Sequence, residues 1–187
     1  MPAPAASRSR LLGAIAATAA VLALIGCSTE PTPPTKPSHS TAPLFSSDDE
    51  ALAAAEAALT AYWDMSNLIS QEGGVNPERM AAVASPDWTA LAITDFAALA
   101  SKGWIQHGSV RFDSVELQQW FTGQKTATVI VTSCFDYSSR FYLNGEGAQV
   151  DLSNVSSRRP FEVVLDRYEA EQDFIVDSIE PWSDREC

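Results

Sequence analysis

The chain has 187 residues, of which 12 are lysine or arginine and 24 are aspartate or glutamate, so its formal net charge is −12. An acidic surface repels nucleic-acid phosphates, which disfavours nucleic acid as a partner. The sequence also lacks a P-loop, a dinucleotide-binding glycine pattern and a cysteine–histidine cluster suited to zinc, so it predicts no cofactor and no metal.

Residues 1–26 are typical of a bacterial lipoprotein signal peptide. Two arginines precede the uncharged stretch 11–26, which is shorter than the about 20 apolar residues of a membrane-spanning helix. Its end, LIGC at 24–27, resembles the lipobox, in which the cysteine sulfur is acylated and the preceding peptide bond is cut. We therefore expect lipidation of Cys27 and a lipid-anchored location on the extracytoplasmic face of the cell membrane. The alternative is an ordinary signal peptide with an incidental cysteine.

Residues 27–45 are predicted to be a linker that joins the lipid anchor to the folded part. The segment is rich in proline, serine and threonine, so it cannot bury enough apolar surface to fold, and proline stiffens it towards polyproline II. Residues 46–187 are then the folded domain, which is long enough to form one hydrophobic core.

Two cysteines, Cys134 and Cys187, remain in the predicted domain. Export delivers the domain to an oxidising compartment, where such a pair normally forms a disulfide. The alternative is two free thiols, one of them at the chain end. We expect a structural disulfide that fixes the C-terminal tail.

Helices are predicted first along the domain. A capping box, Ser47-x-x-Glu50, starts a helix, and Gly73-Gly74 ends it. Its apolar stripe follows helical spacing and comprises Leu52, Ala55, Leu59, Tyr62, Trp63, Ser66 and Ile69. A short helix from Pro77 to about Ala84 and a longer one over 86–102 follow. The longer helix is expected to pack through Trp88, Leu91, Ala92, Phe96 and Leu99.

Strands are predicted after the helices. In SVRFDSVELQQW the apolar parity shifts from Val110 and Phe112 to Val115 and Leu117, which indicates a β-bulge and a bend. Further strands are KTATVIVTSCFDY, a hairpin or excursion turning at Asn144-Gly145, RPFEVVLDRYEA and DFIVDSIEPW. Helices followed by a bent antiparallel sheet predict the α+β class.

The order of elements resembles the nuclear transport factor two-like (SnoaL-like) superfamily. The resemblance rests on the Tyr62-Trp63 pair, GSVRFDSVELQQW, VIVTSCFDYS and DFIVDSIEPWSDREC, with a C-x-D-x-S pattern at 134–138 like that of many actinobacterial lipoproteins. It implies three helices packed in the concavity of a strongly bent sheet, a cone-shaped domain, and frequent homodimers through the sheet. A pocket in the cone would be lined by aromatic residues, for which the candidates are Tyr62, Trp63, Trp88 and Trp104. The fold implies no single activity.

Enzymes on this fold place an acid or histidine base inside the cone, with a tyrosine or aspartic acid as its partner. The candidates for such a site are His107, Asp113 and Asp136, with Tyr62 and Tyr137 as partners. Each has a simpler interpretation: His107 in a polar loop, Asp136 on the threonine-bearing, solvent-facing side of its strand, and Asp113 at the bulge.

The sequence therefore favours a non-catalytic lipoprotein that binds a small ligand or an envelope protein. A cone-pocket isomerase, cyclase or hydrolase with an Asp or His base is one alternative. A structural, homodimeric module of the envelope is the other.

Overall fold

A computed structural model describes residues 45–169, 172–183 and 186–187 of the chain. The predicted signal peptide, the lipidation site Cys27 and all of the linker except its last residue lie outside this part. Within the described residues, no helix combines the length and apolar character needed to span a membrane.

The helical half of the domain consists of α1 (Asp48–Gln71), a 3₁₀ helix (Pro77–Ala82) and α2 (Pro86–Ser101). The Ser47 hydroxyl accepts from the Glu50 backbone N–H at 3.3 Å, as the capping box predicted. The Glu50 carboxylate accepts from the Ser46 N–H at 2.7 Å, one residue before the predicted donor. The Ser85 side chain caps α2 in the same way. Gly74, at φ +82°, ends the turn after α1 where its backbone approaches the Phe96 carbonyl, so a side chain there is excluded by conformation and by contact.

Six strands follow the helices in the described part of the chain. They are β1 (Ile105–His107), β2 (Arg111–Thr122), β3 (Ala127–Asp136), β4 (Phe141–Leu143), β5 (Arg158–Arg167) and β6 (Ile175–Pro181). The large sheet has the antiparallel order β2-β3-β5-β6, and β1 pairs with β4 in a small separate sheet. The class is therefore α+β, with helices followed by a curved antiparallel sheet, as the sequence predicted.

The predicted bulge lies in β2. Its register against β3 shifts between Asp113 and Glu116 and again between Leu117 and Gln119. Ser114 adopts a left-handed conformation at φ 54°. Extra residues on one strand bend it and increase its twist, which curves the sheet around the helices.

The core lies between the helices and one face of the large sheet. Alternate residues of β3 and β5 point into it because side chains alternate along a strand, and the fully buried members include Val129, Val131, Val163 and Leu165. From the helical side, Leu59, Ile69 and Met80 are equally buried. At about 25 cal/mol per Å² of apolar area removed from water, this layer is the main stabilising contribution.

Three details differ from the sequence prediction. Phe45, assigned to the linker, is 5% exposed and packs on Phe174 and Trp120 with ring centroids 5.5 and 5.6 Å apart. The folded domain therefore includes at least one residue more than predicted. Leu91 is 58% exposed, because α2 turns its Thr89, Ala92 and Phe96 side towards the core.

The third difference concerns the outer face of the large sheet, defined as the face of β3 that carries Thr132, Cys134 and Asp136. Thr132 and Cys134 are buried, whereas the alternation predicted a solvent-facing surface. Cys187 lies at disulfide distance from Cys134, with Cα atoms 5.8 Å apart. The end of the chain therefore lies against this face. The pairing agrees with the predicted disulfide.

Candidate functional site

A cavity of about 300 Å³ lies between α1, α2 and the β1–β4 sheet. The helices contribute Tyr62, Trp63, Ser66, Ser70, Ala92, Asp95, Phe96 and Leu99. The strands and their approaches contribute Gln106, Val110, Arg140 and Tyr142. This combination of aromatic walls with a few polar groups is typical of small-ligand sites.

Four other depressions in the described part of the chain are larger, at about 470, 450, 380 and 360 Å³. The first runs along the alanine-rich side of α1 next to Phe174. The second is bounded by Arg140, Phe141 and residues 149–153. None of the four is lined by both α1 and α2 together with strands among the described residues, so the smaller cavity is the better-formed site.

The aromatic wall is held by contacts behind it. The Tyr62 hydroxyl accepts a hydrogen bond from Trp88 Nε1 at 3.1 Å, and burial raises the pKa of Tyr62. Trp63 makes edge-to-face contacts with Phe135 and Tyr137, with centroids 4.9 and 6.4 Å apart. Such contacts restrict the indole orientation, so the wall is preorganised.

A buried amide network positions the polar side of the cavity. The Asn67 side chain donates to the Val110 carbonyl at 3.0 Å and accepts from the Val110 N–H at 2.8 Å. Its oxygen also accepts from Gln106 Nε2 at 2.9 Å, and the Tyr142 hydroxyl donates to Gln106 Oε1 at 3.3 Å. The network joins α1 to the segment between β1 and β2 and orients Gln106 and Tyr142 at the cavity.

The charged groups of the cavity are Arg140 and Asp95. The Arg140 guanidinium lies over the rings of Tyr137 and Tyr142, 4.5 and 5.4 Å from their centroids. Burial raises the pKa of Tyr137 to about 12, although the nearby Arg140 opposes this shift. Asp95 is exposed on α2 at the edge of the cavity. Neither Arg140 nor Asp95 forms a salt bridge with a described residue.

The predicted bases lie elsewhere. Asp113 accepts two hydrogen bonds from Arg158, at 2.8 and 2.9 Å, and these hold the pKa of Asp113 below its usual value. Hydrogen bonds from the Ser138 hydroxyl and from the Ser138 N–H, the latter at 2.8 Å, lower the pKa of Asp136. His107 is exposed at the end of β1 and stacks on Phe141 at 5.1 Å. None of the three lines the cavity.

The predicted aromatic lining is found in part at the cavity. Tyr62 and Trp63 line it, whereas Trp88 stands behind Tyr62 as its hydrogen-bond donor. Trp104 packs on Tyr142 with centroids 5.9 Å apart and does not line the cavity.

Sequence reasoning missed Asp95, Gln106 and Arg140. For Asp95 a signal existed, since positions 92, 95, 96 and 99 follow the i, i+3, i+4, i+7 spacing of one helix face. A carboxylate within that stripe marks an unusual position. Nothing in the local pattern indicated Arg140, because its approach to Tyr137 depends on the turn between β3 and β4.

The described residues contain no group of three or more histidine, cysteine or acidic side chains positioned to hold a metal ion.

Comparisons with known proteins give distant structural similarities. No protein-family model and no curated protein matches the chain. The intermembrane space region of chloroplast protein ARC6 aligns with a TM-score of 0.49 and 11% identity, over 70% of this chain and 97% of that one. An uncharacterized protein with a cystatin-like fold from Caulobacter vibrioides aligns with a TM-score of 0.39 and 17% identity, over 72% and 91%.

Proposed function

We propose that this protein is a lipid-anchored, extracytoplasmic lipoprotein whose domain binds a small ligand in the cavity between α1, α2 and the β1–β4 sheet. The observation that carries the proposal is the convergence of an aromatic wall, Tyr62 and Trp63, with the polar groups of Gln106 and Arg140 in one cavity. The helix-then-curved-sheet order supports a nuclear transport factor two-like cone, in which this cavity would be the interior pocket.

The binding role is favoured over catalysis because Asp113, Asp136 and His107 lie outside the cavity. Asp113 and Asp136 contact arginines, and such contacts favour the ionised carboxylate. A general base for proton abstraction must reach the bound substrate. The arrangement around Arg158 therefore supports a structural role for the two aspartates.

Retention of a natural ligand tests the binding proposal. The protein would be purified from its native membrane, and the small molecules it releases on unfolding would be identified by mass spectrometry. Ser66→Phe fills the cavity from α1, whereas Asp64→Phe adds the same ring to an exposed position of that helix. We expect one compound to accompany the wild type and Asp64→Phe but not Ser66→Phe. Equal retention by both variants would place the ligand elsewhere.

The anchor is tested separately by mass spectrometry of the mature protein. We expect an N-terminal Cys27 that carries a diacylglyceryl thioether, since two acyl chains are needed for stable membrane binding. Cys27→Ser is expected to abolish both the modification and recovery in the membrane fraction. A mature species with unmodified Cys27 would contradict the anchor and leave the cavity proposal unaffected.

A proton-transfer enzyme is the second candidate, and Asp95 is the observation that favours it. Asp95 lines the same cavity as Tyr62. Burial raises the pKa of Tyr62, and the negative charge of Asp95 acts in the same direction. An acid and a buried tyrosine are the kind of pair that isomerases use. The discriminating measurement is turnover: a ligand recovered chemically unchanged after incubation supports binding, and a product formed by wild type but not by Asp95→Asn supports the enzyme.

A further inference from the structure

We propose that the ligand of this cavity is an organic carboxylate with a flat, apolar body, bound with its carboxylate at Arg140; this rests on the proposed ligand-binding function and specifies its chemistry. Lining residues of three kinds support it: a cation, an apolar slot and an acid on another wall.

The cation is Arg140. Its guanidinium lies over the ring of Tyr137 at 4.5 Å and is hydrogen-bonded to Tyr142. A guanidinium has five N–H donors, so further donors remain for a ligand. Three other arginines, Arg79, Arg111 and Arg158, have carboxylate partners within 4.0 Å. Arg140 has none among the described residues, although acidic groups outnumber basic ones two to one in the chain. The guanidinium fork matches a carboxylate with two parallel hydrogen bonds.

The apolar body is specified by the remaining walls. Trp63, Phe96 and Leu99 present ring and aliphatic surface from two helices. A volume of about 300 Å³ lies at the small end of the range for ligand sites, which suits a compound of about two fused rings. Aromatic walls that are themselves fixed by edge contacts favour a flat partner over a branched one.

Asp95 gives the site its polarity. It lies on α2, whereas Arg140 lies before β4, so the acid and the base belong to different walls. Like-charge repulsion disfavours an anionic group beside Asp95. The carboxylate is therefore favoured beside Arg140, and the part of the ligand beside Asp95 would be neutral or a hydrogen-bond donor.

The test compares two probes of nearly the same shape, naphthalene-2-acetate and its uncharged analogue naphthalene-2-acetamide. Binding to the full-length protein in nanodiscs of neutral lipid would be measured by titration calorimetry, with empty nanodiscs as the blank. We expect the wild type to bind the carboxylate at least about tenfold more tightly than the amide, the size of effect that a charge-assisted hydrogen bond gives.

Two arginine variants locate the preference. Arg140→Gln removes the cavity cation, whereas Arg159→Gln removes an exposed arginine that stacks on Phe161 at 5.4 Å in a similar way. We expect Arg140→Gln to lose the carboxylate preference and keep amide binding, and Arg159→Gln to behave as the wild type.

The outcomes separate this inference from the proposal beneath it. Equal wild-type affinity for both probes would overturn the carboxylate assignment while leaving a ligand-binding cavity. Unchanged preference in folded Arg140→Gln would also overturn it. If neither probe binds at about 5 mM, weaker than any affinity of use to a ligand-binding protein, the assignment of a flat carboxylate fails, and retention of the natural ligand by Ser66→Phe against Asp64→Phe decides the cavity proposal. The wild-type comparison of the two probes decides the ligand class even if Arg140→Gln does not fold.

Discussion

The outer face of the large sheet and the cavity satisfy their charged side chains in opposite ways. On the outer face, Arg158 bonds Asp113 and lies 3.9 Å from Asp136, which Arg111 also approaches at 3.5 Å. In the cavity, Arg140 contacts aromatic rings and forms no salt bridge with a described residue. The paired arginines of the outer face donate to the protein's own carboxylates. Arg140 bonds Tyr142 but has no described acidic partner, so a ligand carboxylate can take that place.

The difference also separates stability from function. The outer face is fixed by a cysteine pair and ion pairs, which are groups that hold chain segments together. In the cavity, Asn67 and Trp88 hold the lining residues Gln106 and Tyr62 through hydrogen bonds on the side away from the cavity. The surfaces that face the cavity stay available for a ligand. We expect substitutions that remove contacts behind the cavity to affect stability, and substitutions that change the groups facing it to affect binding.

The largest effect is expected from the outer face, on removal of the cysteine pair. The two residues are 53 positions apart, and closing a loop of that length stabilises the folded state by about 4 kcal/mol in the chain-entropy model. The double variant Cys134→Ala/Cys187→Ala should lower the free energy of unfolding in urea by about this amount. Free thiols at both positions in the native protein would contradict the predicted disulfide.

The next effect lies behind the cavity, at Asn67. Asn67→Ala leaves the N–H and carbonyl of buried Val110 without the partners they have now, which we expect to cost about 3 kcal/mol of unfolding free energy. Gln71→Ala, which removes an exposed side chain bonded to the Gly108 carbonyl at 2.9 Å, is the control and should cost under about 1 kcal/mol. Equal losses of unfolding free energy in urea would show that the buried amide network contributes no more than one exposed hydrogen bond.

The features that could be predicted from the sequence are those that a few adjacent residues encode. The capping box at Ser47 and the bulge after Asp113 are encoded in a few adjacent residues, and both were predicted. Asn67 is a polar residue between apolar positions of a helix, and its role depends on Val110, 43 positions away. The exposure of Leu91 depends on which elements pack against α2, and the cavity is formed by four separate segments of the chain. Tertiary packing determines both, and the periodicity of apolar residues in one segment does not reveal it.

A smaller effect is expected at the wall itself, in Tyr62→Phe. The substitution keeps the ring and deprives Trp88 Nε1 of its acceptor at 3.1 Å, so we expect a loss of about 1 kcal/mol in unfolding free energy. Thermal unfolding measures it. Because the ring remains, probe binding in the cavity should be retained, and a complete loss of binding would mean that the hydroxyl itself contacts the ligand.

The smallest effect concerns pH and the outer face. In the folded state, hydrogen bonds from Arg158 lower the pKa of Asp113 below its ordinary value of 3.8. The ionised carboxylate therefore stabilises the fold at pH values above 3.8. This contribution is lost as the pH falls through the lower, folded-state pKa. Asp113→Asn should therefore unfold at a slightly lower urea concentration than wild type at pH 7, and the two should converge in acid. A constant difference down to about pH 2 would contradict the ion-pair origin.

The most direct test of the ligand-binding cavity uses the tryptophan side chains as reporters. Trp63 lines the cavity, whereas Trp120 donates to Asp48 at 2.7 Å away from it. Their indole N–H signals would be followed by ¹H–¹⁵N NMR during titration with naphthalene-2-acetate. The account predicts a saturable shift of the Trp63 signal with the Trp120 signal unchanged. A saturable shift at Trp120, with Trp63 unaffected, would contradict it.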